Sequence, residues 1–131
     1  MKTIIKTVFF LLIVTFIGCE DDIEPITINQ SNKLIGYWIN PVYIESELKL
    51  ERAKSLKENG YGIAFLEESN CIERSSGWCG TPPITFFDFQ GTWTKNDAII
   101  IITIDNGIIG LEEIKWKIKT LNDNYLIIER L

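Results

Sequence analysis

The most reactive side chains here are three thiols, Cys19, Cys71 and Cys79, in a chain that contains no histidine. Without imidazole there is no Ser-His-Asp or Cys-His arrangement and no ordinary general base near neutral pH. Structural zinc takes four nitrogen or sulfur ligands, so these thiols make no metal centre, and no cofactor is expected. The carboxylate pairs Glu67-Glu68 and Glu112-Glu113 are sequence neighbours. Neighbours on a strand point to opposite faces, so neither pair converges on one substrate. These residue types argue against an enzyme. Cys71 and Cys79 flank a turn containing Ser75, Ser76 and Gly77, and a disulfide closing so short a loop contributes roughly 2.5 kcal/mol in the chain-entropy account. The other reading leaves both thiols unpaired, one on a strand and one in a loop.

Cys19 is placed differently. Lys2 and Lys6 make a basic start, the run from Val8 to Ile17 is almost wholly apolar, and Gly18 precedes the cysteine. That order is the layout of a secretion signal. The apolar run is too short for a membrane span, which needs roughly 20 residues. Phe16-Ile17-Gly18-Cys19 resembles the lipobox of bacterial lipoproteins, with Phe16 where a leucine-like residue is preferred. The resemblance implies that the Cys19 thiol carries acyl chains such as palmitate and becomes the mature N-terminus. Glu20-Asp21-Asp22 resembles the acidic patch that follows the lipidated cysteine in surface-exposed lipoproteins of some Gram-negative bacteria. The same cluster also reads as a solvated tether. The resemblance implies an outer-membrane lipoprotein, on the periplasmic face or the cell surface, in a compartment that permits disulfides.

Removing residues 1–18 as a signal peptide leaves one domain's worth of chain. It also takes two lysines and no acid, so the remaining charges are eleven basic against eighteen acidic, a net −7. Such a surface repels nucleic acid and anionic headgroups. Apolar residues make up 46% of the chain, with four tryptophans and seven phenylalanines, enough for a real core. Residues 19–33 combine the lipidated cysteine with Asp, Asn, Ser and Pro25 and read as a flexible tether. The domain is expected over 34–131.

From Leu34 onward the apolar period is two. Ile114-Lys115-Trp116-Lys117-Ile118-Lys119 sets apolar residues on one face and three lysines on the other. Phe87, Phe89, Gly91 and Trp93 share a face, as do Ile100, Ile102 and Ile104, while Ile99 and Ile101 make that strand apolar on both sides. Turn signals at Asn59-Gly60, Glu68-Ser69-Asn70, Lys95-Asn96-Asp97, Asp105-Asn106-Gly107 and Asn122-Asp123-Asn124 separate the runs. The pattern predicts strands over 34–44, 48–56, 61–67, 71–76, 84–94, 98–105, 112–120 and 124–130. Residues 47–58 are rich in helix formers, and Asn59-Gly60 suits a helix end. Strand is preferred there because Leu48, Leu50 and Leu56 alternate and because a helix leaves the sheet one strand short. Eight short strands and tight turns predict an all-β, eight-stranded up-and-down antiparallel barrel, whose closure removes exposed edges. The lysine face must meet water, the reverse of a membrane barrel.

Gly36-Tyr37-Trp38 at the start of the first strand resembles the Gly-x-Trp signature of lipocalins. That resemblance implies that Trp38 closes one barrel end, with Gly36 letting the chain pass beneath it and Arg130 stacked over its ring. Gly91-Thr92-Trp93 repeats the spacing. The segment from Tyr61 to Trp93, with Gly77-Trp78-Cys79-Gly80-Thr81-Pro82-Pro83, is similar to the small lipocalin-like lipoproteins of some Gram-negative bacteria. Trp78, Pro82 and Pro83 form either a rigid lip that touches a ligand or partner, or a plug packed on the barrel.

Two functions are in competition. One is a non-catalytic interaction module of the envelope, its barrel filled by Phe87, Phe89, Trp93, Ile100, Ile102, Trp116 and Ile118, with at most a small cavity beside the Trp78-to-Pro83 loop. The both-sided strand 98–105 then offers a patch for an envelope protein partner. The other is a carrier that binds a small apolar ligand in the barrel. Eight strands enclose just enough room for side chains or one small ligand, and the number of rings expected inside favours the filled barrel.

Overall fold

The computed structural model describes residues 24–76, 82–107 and 109–131. They form eight strands: β1 (Gly36–Ile44), β2 (Glu47–Ala53), β3 (Gly62–Phe65), β4 (Asn70–Ser75), β5 (Phe87–Asn96), β6 (Ile99–Asp105), β7 (Leu111–Leu121) and β8 (Tyr125–Arg130). All pairings are antiparallel and the sheet closes on itself. The chain is therefore an all-β closed barrel of eight strands, with a 3-10 turn at Glu67–Ser69. No described helix is long and apolar enough to cross a membrane.

Helix formers did not prevail over Glu47–Ala53. Leu48, Leu50 and Arg52 point into the barrel while Glu47, Lys49 and Glu51 point out. As β2 the segment pairs with β1 on one side and β8 on the other, so it closes the barrel and burial outweighs local propensity.

The neighbour order departs from a simple meander. β1 lies between β2 and β3, and it is β2 that meets β8. Residues 54–61 therefore return over the outer face of β1. There Lys57 Nζ donates to Asn40 Oδ1 at 2.6 Å, and Leu56 and Ile39 meet at Gly62, where any Cβ would fall 2.8 Å from Leu56 Cδ2. Ile39 faces outward by alternation, yet this link keeps it buried. The β1 register shifts between Ile39 and Val42, where Asn40 has φ +54° and Pro41 donates nothing to the ladder. Both residues suit a bulge. Alternation says which face a residue takes but not which strand lies alongside, so the pattern did not carry this order.

One barrel end is filled. Trp38, Leu34, Phe65, Leu50, Ile63 and Leu126 are fully buried there and in the mid-barrel, continuing into Trp93, Ile100, Ile102, Trp116 and Ile128. The rings of Trp93 and Trp116 meet Phe65 edge-on at 5.5 and 6.3 Å, the favoured aromatic geometry. Gly91 lies so close to the Thr103 carbonyl that a Cβ would collide with it. This glycine, one turn of the pleat before Trp93, is what lets β5 and β6 approach.

The both-sided strand is not an exposed patch. Ile99 and Ile101 are half-buried, each opposite a lysine of β7, Lys117 and Lys115, whose stems cover apolar neighbours while their charges stay in water.

Candidate functional site

Gly36 and Trp38 lie at the start of β1, at the filled end of the barrel. Trp38 is fully buried and its Nε1–H donates to the Leu34 carbonyl at 2.8 Å. Gly36 has φ +140°, and a Cβ there would lie 2.5 Å from Arg52 Nη1, so only glycine fits. The expected partner of the ring does not hold. It is Arg52 whose Cζ stands 4.2 Å over the Trp38 ring, whereas Arg130 lies at the other end of the barrel, 5.7 Å from the Tyr43 ring. The cause is topological. β8 runs away from the Trp38 end and finishes at Arg130, while β2 runs toward it and delivers Arg52. The Arg52 guanidinium also donates to the carbonyls of Asp123 (2.8 Å), Ile35 (3.0 Å) and Lys33, lacing the incoming chain and the β7–β8 turn together. The signal for Arg52 was present in the Leu48-Leu50-Arg52 column, a cation at an inward position of a strand end.

Among the described residues the opposite end is open. There the inward columns end in Tyr61, Glu73, Ser75, Phe89, Ile104, Glu112, Ile114 and Arg130, above a wall that includes Trp116, and they enclose a cup of about 820 Å³. This corrects the expectation of a filled barrel with at most a small cavity. Trp93, Ile100, Ile102 and Trp116 do fill the interior, Phe89 and Ile118 pack only partly against it, and Phe87 is 55% exposed. The rings cluster at the closed end and middle, because Gly91 and the small inward residue Ser75 leave the upper barrel open. Ser75 and Ser76 belong to the lining of the cup, and residues 77–81 of the loop that follows lie outside the described residues. Pro82 and Pro83 are exposed and outside that lining, and Trp78 lies outside the described residues.

Inside the cup the Tyr61 hydroxyl donates to Glu73 Oε1 at 3.0 Å. Burial, reinforced by the charge of Glu112, raises the pKa of Glu73 above the usual carboxylate range; the Tyr61 hydrogen bond and Arg130 pull it the other way. Burial and then the Glu73 charge hold the Tyr61 phenol protonated. A carboxyl whose folded pKa is raised favours folding below its unfolded pKa of about 4.3 and loses that contribution as pH rises through the folded value. Glu73→Gln, which cannot ionise, is therefore expected to gain stability relative to the parent on going from about pH 3 to about pH 7 in urea titrations. A constant difference across that window would mean that Glu73 is not held in a desolvated site.

Cys71 is a free, fully buried thiol among the described residues, pushed up to about 11 by burial and by the Glu73 charge, and so poorly reactive. Cys79, its proposed disulfide partner, and Cys19 lie outside the described residues. No group of three or more His, Cys, Asp or Glu able to hold a metal ion occurs among the described residues.

The rim of the cup also carries large apolar side chains that face solvent. Val42, Tyr43, Ile44, Phe87, Ile109, Leu111 and Leu131, all at the open end, are exposed. No family model, curated protein or solved structure matches this chain.

Proposed function

We propose that the protein is a lipid-anchored, lipocalin-like envelope lipoprotein that carries a small apolar ligand in the open end of its barrel. The observation that supports this reading is the cup itself: about 820 Å³, walled by Phe89, Ile104, Ile114 and Trp116, with a few polar groups at Tyr61, Glu73, Glu112 and Arg130. Largely apolar concavities of this size with a handful of placed polar groups are what small-molecule sites look like. No nucleic acid, metal or enzymatic step enters the reading.

The anchor rests on the lipobox-like Phe16-Ile17-Gly18-Cys19. Asn29 Nδ2 donates to Glu67 Oε1 at the closed end (3.3 Å), and the stretch from Cys19 to Glu24 reaches at most about 17 Å when extended. Lipid on Cys19 therefore holds the closed end to the outer membrane and turns the mouth away from it, toward the periplasm or the outside. Two or more acyl chains give stable anchoring, so Cys19→Ser is expected to leave the membrane fraction and take up no fatty-acid label. A variant that stays in the membrane and is labelled would rule the anchor out.

The cup is tested by titrating the unacylated chain from Cys19 onward, which contains every described element, with the neutral apolar dye N-phenyl-1-naphthylamine. Saturable one-to-one binding at roughly micromolar dye is expected, with quenching of tryptophan emission. Absence of saturable binding would favour the second reading, an interaction module of the envelope. That reading draws on the exposed apolar rim at Tyr43, Ile109 and Leu111, which fits a protein partner better than bulk water.

A further inference from the structure

One carboxylate on the wall of the cup has no cation beside it. Glu73 takes an inward position on β4, between the buried Cys71 and Ser75 of the lining. It is half-buried, and the Tyr61 hydroxyl engages its Oε1 at 3.0 Å. Oε2 has no hydrogen-bond partner among the described residues, and it is not sealed from solvent as the unpaired Trp116 Nε1 is. Because Glu73 lines the cup, that access is from the cup. Among the described residues no lysine or arginine nitrogen comes within 4.0 Å of the Glu73 carboxylate. A carboxylate drawn out of water is costly unless a cation and hydrogen bonds compensate it. Here the described residues supply one hydrogen bond and no cation.

The surrounding charges narrow what could compensate it. Among the described residues the one cation of the lining is Arg130. Its strand, β8, is four strands from β4 whichever way the closed ring is followed, so the two stand on opposite walls. Glu112, the other carboxylate of the lining, acts on Glu73 more strongly than Arg130 does, which leaves the potential at Glu73 negative. Residues 77–81 and 108, which adjoin the lining in sequence, include no Asp, Glu, Lys or Arg. The net negative charge of the chain as a whole also draws cations and turns anions away. A carboxylate head would share the cup with Glu73 and Glu112. A neutral hydroxyl could donate to Oε2 but would leave the charge uncompensated. A protonated amine donates to Oε2 and supplies the missing charge as well.

Building on the carrier reading, we propose that the guest is an apolar molecule bearing a protonated amine, that the amine donates to Glu73 Oε2, and that Glu73 sets the preference for it. Phe89, Ile104 and Ile114 of the same lining then hold the apolar body. Charge-assisted hydrogen bonds are roughly twice as strong as neutral ones, and they strengthen away from water. One amine therefore separates this guest from an alcohol of the same length.

The test displaces the uncharged N-phenyl-1-naphthylamine from the unacylated chain with decylamine, decanol and decanoate. At neutral pH decylamine is expected to bind at least about tenfold more tightly than decanol or decanoate, the size of one charged hydrogen bond. Glu73→Gln keeps the shape of the side chain and removes its charge. It is expected to bind the dye and decanol as the parent does while losing about tenfold in decylamine affinity. In the parent, saturating decylamine should lower the pH at which the Glu73 carboxyl resonance titrates, because an adjacent ammonium favours the ionised form. Decanol should not, and this readout stands even if the variant folds poorly. Equal or tighter binding of decanol or decanoate, an unchanged decylamine affinity in a dye-binding Glu73→Gln, or an unmoved titration would overturn the proposal. Failure of the dye itself to bind the parent would instead bring down the carrier reading on which it rests.

Discussion

Trp38→Ala is expected to destabilise the barrel by about 3–5 kcal/mol, the usual cost of truncating a large buried ring. Against a typical total of about 5–15 kcal/mol for a single domain, that takes away much of the stability. The size follows from what the ring does. It is fully buried, its Nε1 holds the Leu34 carbonyl at 2.8 Å, and Arg52 stands over its face at 4.2 Å. Alanine leaves a void that packed neighbours cannot fill, an unserved carbonyl and a cation without its ring. Leu34, also fully buried, loses its seat, and with it the entry of the chain into β1. Urea denaturation monitored by circular dichroism measures this directly. A midpoint and slope equal to the parent's would show that the closed end does not depend on Trp38.

Arg52→Met and Arg130→Met should differ sharply in stability. Methionine keeps an unbranched apolar stem and removes the charge and the donors. Arg52 donates to three backbone carbonyls, from Lys33, Ile35 and Asp123, and covers Trp38. Hydrogen bonds to charged groups contribute about 1.5–3 kcal/mol each, and they are not additive when one side chain makes them all. A loss of about 2–3 kcal/mol is expected. Arg130 is exposed at the mouth and its nearest ring is Tyr43 at 5.7 Å, so its replacement should change stability by less than about 0.5 kcal/mol. Paired denaturation curves decide the matter. Equal losses, or a larger loss for Arg130, would return Arg130 to the closing role that the Gly-x-Trp resemblance implied.

These contrasts mark how far the residues themselves could be read. The strand pattern was legible because burial on one face writes a period of two into the chain. Lys115, Lys117 and Lys119 alternate with Ile114, Trp116 and Ile118, and β7 follows with its lysines outward. Gly36 was legible only through the resemblance of Gly36-Tyr37-Trp38 to the Gly-x-Trp signature. The role of Arg52 was not read, since it depends on β2 pairing with β8, a contact between residues far apart in sequence that no local pattern encodes. The cup escaped for a related reason. The inward column Phe87-Phe89-Gly91-Trp93 names the residues that face inward, but whether they fill the barrel depends on their height along the axis. Trp93 lies in the packed middle, whereas Phe87 has passed the rim into solvent.

The sequence by itself determined the class of fold, the strands and their inward faces, and a resemblance offered Gly36 and Trp38 for the closed end. It also removed histidine-based catalysis, because a residue type that is missing cannot be supplied by folding. The tertiary structure alone decided the strand order with β1 between β2 and β3, the cation that covers Trp38, and the open volume above Trp116 with Glu73, Tyr61 and Arg130 around it. Periodicity is a property of single strands and survives in the sequence. Neighbour order, register and enclosed volume are properties of the closed sheet, and they exist only once distant segments have met.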